Sequence, residues 1–206
     1  MRQTCLSTSG RAMPTAAEPL AGKRRQIVET AYRLFKRYGF HATGIDRIIG
    51  EAQVAKMTMY RHFPAKDDLI LAVLDWRAKR FARRLERLAA QAQTPEQKIA
   101  ALFDWYGDWF AGPDFHGCVF AHALAEFGDP AHPVFKAATR QKDELEAHMR
   151  GVLEASIPAA RAQGLATTLL MLVEGATLVA QTGRGPAAIG EARRAALALI
   201  AAPVQA

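Results

Sequence analysis

Cysteine is nearly absent from this chain: Cys5 and Cys118 are the only two among 206 residues. Two thiols, one close to the N-terminus and neither in a C-x-x-C pair, exclude a disulfide framework and fit a reducing, cytoplasmic setting. Runs rich in Val and Ile with period-two alternation are also missing, whereas Ala and Leu abound. The expected class is therefore all-α. No long uncharged apolar run occurs either. The most apolar stretch, 165–181, carries Glu174, Gly175, Thr167, Thr168 and Thr177 and is too short and polar for a membrane span, so no membrane partner is expected. Residues 1–22 lack an apolar segment of signal-peptide length, which argues against export. There is no G-x-S-x-G elbow, phosphate loop or convincing triad, so neither an enzyme nor a cofactor is expected.

What is present is an uneven charge. The net charge is +7. Residues 1–66 hold 12 Lys and Arg against 4 Asp and Glu, a balance of +8, and residues 67–206 hold 15 against 16, a balance of −1. A small basic module joined to a larger near-neutral one is the distribution that binding nucleic acid through one module requires. A solvated basic surface would give the same numbers, so the charge alone leaves the two open.

The punctuation of the chain divides it into about nine helices. Residues 1–22, small, polar and broken by prolines, read as a disordered tail. Ile27, Ala31, Leu34, Phe35 and Tyr38 then form one apolar stripe, closed by Gly39. Thr43 is placed to cap a second helix reaching Ala52, and a third runs from about Ala55 to His62, where Pro64 forbids continuation. Lys66 opens a long fourth helix with a basic middle, Arg77 to Arg87, read as a solvated face. The remaining helices span about 95–111, the stretch HGCVFAHALAEF, 133–155, 160–182 and 186–202. The expected domains are the tail, a helix-turn-helix unit over 23–66 and a helical ligand-binding and dimerisation unit over 67–206.

The stretch VAKMTMYRHFPAKDDL, 54–69, buries little and is dense in donors: Lys56, Thr58, Tyr60, Arg61, His62 and Lys66. Two short helices joined by a tight turn form a helix-turn-helix, whose second helix enters the major groove. Donors on its outer face then meet phosphates and base edges. Met57 can touch a thymine methyl and Lys56 and Thr58 can reach base edges, while Tyr60, His62 and Lys66 are better placed for phosphate.

These residues carry a resemblance. Gly39-Phe40, Thr43, Ile48, Val54, Tyr60-x-His62-Phe63-x-x-Lys66-Asp67-x-Leu69 closely resemble the N-terminal domain of the TetR family of transcriptional regulators, over roughly residues 25–75. The resemblance implies a homodimer that binds a palindromic operator in double-stranded DNA, usually as a repressor, and that is released when a small molecule in the core domain moves the fourth helix. It assigns Thr43, Tyr60, His62 and Lys66 to phosphates and Lys56, Met57 and Thr58 to bases. Three positions depart from the family's pattern. Gln53 stands where glycine is usual and would take a left-handed backbone at a cost of roughly 1 kcal/mol. Ile49 replaces a small residue, and Ala55 replaces a serine cap.

An effector site is expected within residues 70–160. Phe103, Tyr106 and Phe110 recur at i, i+3 and i+7, with Trp105 and Trp109 beside them, which suits an apolar pocket for an apolar or aromatic effector but equally suits ordinary core. Cys118, His122 and Glu126 fall at i, i+4 and i+8 on one helical face. That face reads as a packed polar edge, as the polar part of a ligand pocket, or as a metal- or thiol-based sensor or enzyme site, although the spacing matches no zinc signature. Leu169, Leu172, Val173, Ala176 and Val179, with Leu197 and Ile200 of the last helix, are candidates for a two-fold four-helix interface, with burial inside one subunit as the alternative.

Overall fold

The structure, a computed structural model, describes residues 17–202, with side chains from residue 22 onward. Among them every regular element is helical: α1 Ala17–Tyr38, α2 Ile45–Ala52, α3 Lys56–His62, α4 Lys66–Ala90, α5 Pro95–Ala111, α6 Val119–Glu126, α7 Pro133–Leu153, α8 Ala159–Val179 and α9 Gly185–Ala201. The expected tail lies mostly outside the described residues, and α1 already begins at Ala17. Pro19 does not prevent this, because it falls in the first turn, where no backbone N–H is needed.

The helix ends follow local chemistry. Gly39, at φ 86°, ends α1, and its amide donates to the Phe35 carbonyl at 2.9 Å. Thr94 and Gln97 form a reciprocal capping box at α5, with Pro95 in the first position. Thr43 does not cap α2 as expected. Gly44 occupies the cap position, and the Thr43 hydroxyl instead donates to the Gly39 carbonyl at 2.7 Å, closing the α1–α2 turn from inside. Helices α8 and α9 are separated by a wide π-type turn, Ala180–Arg184, in which Gly183 takes φ 82°.

The apolar interior forms two clusters. One gathers the α1 stripe (Ile27, Ala31, Leu34, Phe35) with Ile48, Met59, Leu69 and Val73, and continues into Val119, Phe120 and Ala123 of α6 and Val134 of α7. The other joins Phe81 and Leu85 of α4 to Phe103, Leu145, Met149, Leu169, Val173 and Ile200. Each fully buried Leu, Ile or Phe contributes about 1.5–3 kcal/mol of transfer free energy, so both clusters are substantial. Helix α4 therefore has its first turns in one interior and its later turns in the other. Helix α6 packs its apolar side into the same interior as the short N-terminal helices.

Candidate nucleic-acid interface and core cavity

The short helices present a polar face because only one side of each is held. Ile48 and Ala52 of α2 and Met59 of α3 are buried, and the Gln26 side chain donates to the Ala52 carbonyl at 2.8 Å, tying α1 to the end of α2. Between them Gln53 takes φ 49° and ψ 48°, the left-handed conformation anticipated for a position where glycine is usual. Ala55 occupies the cap position of α3 without a side-chain cap, and its carbonyl accepts from the Thr58 amide at 2.9 Å and the Met59 amide at 3.1 Å. Beyond that turn Lys56, Met57, Tyr60 and Arg61 are exposed, Met57 at 77%. Thr58 is half-buried, and Lys56 lies 3.3 Å from Asp46. A methionine that exposed on an otherwise basic helix has no packing role within the subunit.

Two of the expected contact residues are placed differently. Thr43 is completely buried with its hydroxyl committed to Gly39, so it shapes the turn instead of presenting a side chain. His62 is half-buried, and its Nε2 is enclosed without a partner beside the Phe63 ring. Lys66, at the first residue of α4, donates to the His41 carbonyl at 3.4 Å and stands next to the same turn.

In the core, α5 supplies an aromatic wall. Trp105 stacks on Trp109 with centroids 6.2 Å apart, and Tyr106 meets Phe81, Trp105 and Trp109 edge-on. With Tyr32, Arg77, Cys118, Phe120, Gln141 and Lys142 these residues enclose a cavity of about 20 Å³, room for roughly one water molecule. Its polar end is specific. The Lys142 ammonium donates to the Glu174 carboxylate at 2.7 Å and to the Cys118 sulfur at 3.4 Å. Burial alone would lower the Lys142 pKa, but its interactions with Cys118 and Glu174 outweigh it and hold the group above the ordinary lysine value. Burial, reinforced by Glu174 and Cys118, pushes the Tyr106 phenol well up, so it stays protonated. The Gln141 carbonyl oxygen, on a residue only 5% exposed, is buried without a hydrogen-bond partner. Such an orphan costs about 1–3 kcal/mol and invites a donor.

The residues expected to line an effector site are thus divided. Tyr106, Trp109 and Cys118 reach this cavity, whereas Phe103 is fully buried in the core beside it. Phe110, His122 and Glu126 line a separate open cleft of about 750 Å³ with Lys36, Arg37 and His116. Burial holds the His122 pKa below the ordinary histidine value. Cys118, His122 and Glu126 do not converge, and among the described residues no group of three His, Cys, Asp or Glu side chains could hold a metal ion. Glu126 instead turns toward the N-terminal helices, accepting from the Phe40 amide at 2.8 Å and the His41 amide at 2.7 Å. Lys142, Gln141, Tyr32 and Arg77 were not anticipated as cavity residues. The one available signal was Glu174, an acid in the most apolar helix that required a buried cation.

On α8, Leu169, Val173 and Ala176 are buried within the subunit, as is Ile200 of α9, while Leu172, Val179 and Leu197 are half-buried. The uncovered apolar face is one step round the helix: Met171 and Leu178 are 62% and 67% exposed, with Gly164, Thr168 and Gly175 on the same side.

The chain matches two family models, "Bacterial regulatory proteins, tetR family" over residues 27–73 and "Tetracyclin repressor-like, C-terminal domain" over residues 95–196. A TetR-family transcriptional regulator from Streptomyces coelicolor, SCO4454, superposes with a TM-score of 0.82 at 30% identity, covering 87% of this chain and 95% of that one. The uncharacterized HTH-type transcriptional regulator YxaF of Bacillus subtilis is 23% identical over 166 residues, 78% of this chain and 86% of YxaF. YuxN of the same species is 29% identical over 73 residues, which span 25% of YuxN and 35% of this chain.

Proposed function

The chain belongs to the TetR family of bacterial regulatory proteins, and on that premise we propose that this helix-turn-helix transcriptional regulator is a cytoplasmic repressor, binding a palindromic operator as a homodimer and released by a small-molecule effector. Residues 23–66 are its reading head and residues 67–206 its effector-binding and dimerisation unit. The observation that carries the reading is α3, with Lys56, Met57, Tyr60 and Arg61 exposed on one basic surface and no packing role for Met57. Base edges are met by Lys56, Met57 and Thr58, and phosphates by Tyr60, Arg61 and Lys66. Two heads must reach consecutive major grooves ~34–36 Å apart, so a few ångströms of displacement disfavours docking both.

The effector is an apolar or aromatic molecule with a hydrogen-bond donor. It inserts among Trp105, Tyr106 and Trp109 and satisfies Gln141. Because the cavity is nearly filled, entry forces the α5, α6 and α7 walls apart, and α4 moves with them. The test is a shift assay on DNA flanking the gene, with excess competitor and a salt series. Saturable, palindrome-dependent binding by two subunits or more supports the proposal, and equal operator affinity in the presence of every candidate effector refutes ligand control.

One observation favours a second reading of the same cavity. Lys142 donates to the Cys118 sulfur at 3.4 Å, which sets a proton donor and a positive charge beside a potentially nucleophilic atom. The effector in that case is a soft electrophile such as an α,β-unsaturated carbonyl. The sulfur bonds to the β-carbon, the alkene π pair shifts to the α-carbon, and the thiol proton ends there. A mass increment on Cys118 that coincides with operator release distinguishes this from reversible binding.

A further inference from the structure

Helix α6 joins two places that an effector response must connect. Its N-terminal side is the cavity wall: Cys118, Val119 and Phe120 line the aromatic cavity. Its C-terminal side is Glu126, roughly 12 Å along an eight-residue helix at 1.5 Å per residue. Glu126 does not face solvent as a helix-ending acid usually would. Both carboxylate oxygens are engaged with the turn between α1 and α2: Oε1 accepts from the Phe40 amide at 2.8 Å, and Oε2 accepts from the His41 amide at 2.7 Å and lies 3.2 Å from His41 Nδ1. The approach is close enough that a Cβ on Gly39 would sit 2.9 Å from Oε1, at a residue whose φ of 86° already favours glycine. Phe127, the next residue, packs its ring on Phe40 and His41 at centroid distances of 5.8 and 4.8 Å. The gripped turn also holds Thr43 through Gly39 and Lys66 through the His41 carbonyl, and it leads directly into α2.

We propose that Glu126 is a positioning residue that locks the reading head to the core, its carboxylate gripping the Phe40 and His41 amides so that α6 carries displacement at its Cys118 end onto the turn entering α2. This is a second route from cavity to head, independent of the tilt of α4. It rests on the regulator reading above. Bidentate capture of two backbone N–H groups fixes the orientation of the turn as well as its distance, which a single side-chain contact would not. Moving α6 must therefore carry the turn with it or break both bonds.

Coupling between sites is reciprocal, so operator binding must alter the cavity end of α6. The experiment follows alkylation of Cys118 by N-ethylmaleimide in full-length protein carrying Cys5→Ser, with and without an operator duplex selected from random DNA. Operator is expected to change the labelling rate by about fivefold, the lower end of ordinary coupling. In the Glu126→Gln form, which keeps one acceptor but turns an amide NH₂ toward the other N–H, that dependence is expected to vanish while labelling without DNA is unchanged. Amide exchange over residues 39–43, compared between the two proteins without DNA, reads the lock directly and does not depend on operator binding. Exchange should accelerate about tenfold in Glu126→Gln, and an unchanged melting temperature shows that the fold is retained. Operator-dependent labelling that persists in Glu126→Gln, or its absence from the Cys5→Ser protein while operator still binds, overturns the inference alone. Failure to select any palindromic site overturns the regulator reading and this inference together.

Discussion

Replacing Lys142 with methionine separates the polar end of the cavity from its role in stability. Its side chain is 13% exposed and that of its partner Glu174 is 27% exposed, with 2.7 Å between ammonium and carboxylate. Truncating one member of a fully buried pair costs about 3–5 kcal/mol, because the other charge is left uncompensated. Glu174 retains some contact with solvent, so a discounted value of about 2 kcal/mol is expected. For a domain of this size that lowers the melting temperature by roughly 4–8 °C. Replacing both residues, Lys142→Met with Glu174→Leu, removes the orphaned charge and should recover most of the loss, since a buried pair gains little over well-packed apolar groups. The pH dependence has a definite sign. Cys118 and then Glu174 outweigh burial and hold the folded-state pKa of Lys142 above its unfolded value, so the contribution of these two contacts together is fully present below pH 10.5 and is lost as the pH rises through the raised value. Urea unfolding of both forms between pH 7 and strongly alkaline pH measures this: the gap should hold constant to about pH 10 and then close. A single variant within about 0.5 kcal/mol of wild type, or a double variant as unstable as the single, refutes the argument.

The left-handed backbone at Gln53 makes Gln53→Gly stabilising by about 1 kcal/mol, seen as a melting temperature raised by roughly 2–4 °C; an unchanged or lowered value would mean that the exposed side chain contributes more than the strain it imposes. Lys66→Gln should weaken binding to every duplex alike and reduce the slope of log affinity against log salt by about 0.9, whereas Met57→Ala should leave the slope intact and relax base preference at one position in a selection experiment. Met171→Glu with Leu178→Glu should convert dimer to monomer in sedimentation and abolish operator binding while preserving the helical signal, whereas an undisturbed dimer would place the interface elsewhere.

How much of this was legible in the sequence depends on how local each feature is. The reading head was accessible because its determinants lie within a few residues of one another, the apolar stripe of α1 and the break at Pro64, while the positive φ at Gln53 was implied only by the family resemblance. Thr43 shows where local rules fail. A threonine before a helix is a good cap, but here the carbonyl of Gly39 lies within its reach and the chain folds back on it. On α8 the pattern could not decide, since a helix apolar nearly all round presents Leu169, Val173 and Ala176 inward and Met171 and Leu178 outward with similar periodicity.

The face formed by Cys118, His122 and Glu126 carries the more general point. Helical spacing places the three on one side of α6, which reads as a packed polar edge, as part of a pocket or as a sensor site. A helical face, however, is a line of positions ~12 Å long. In this fold that line crosses three different neighbours: Lys142 of α7 at one end, the open cleft in the middle, and the α1–α2 turn at the other. Spacing along one helix reports shared direction, whereas a site requires convergence, which only the other elements supply. The glutamate looked like a spare polar edge because its partners are backbone amides more than eighty residues away, and amides leave no mark in a sequence. Separating the three residues is also what makes α6 suited to transmission, since a helix whose two ends are held by different bodies can carry a displacement between them, and one whose polar groups all met at a single ligand could not.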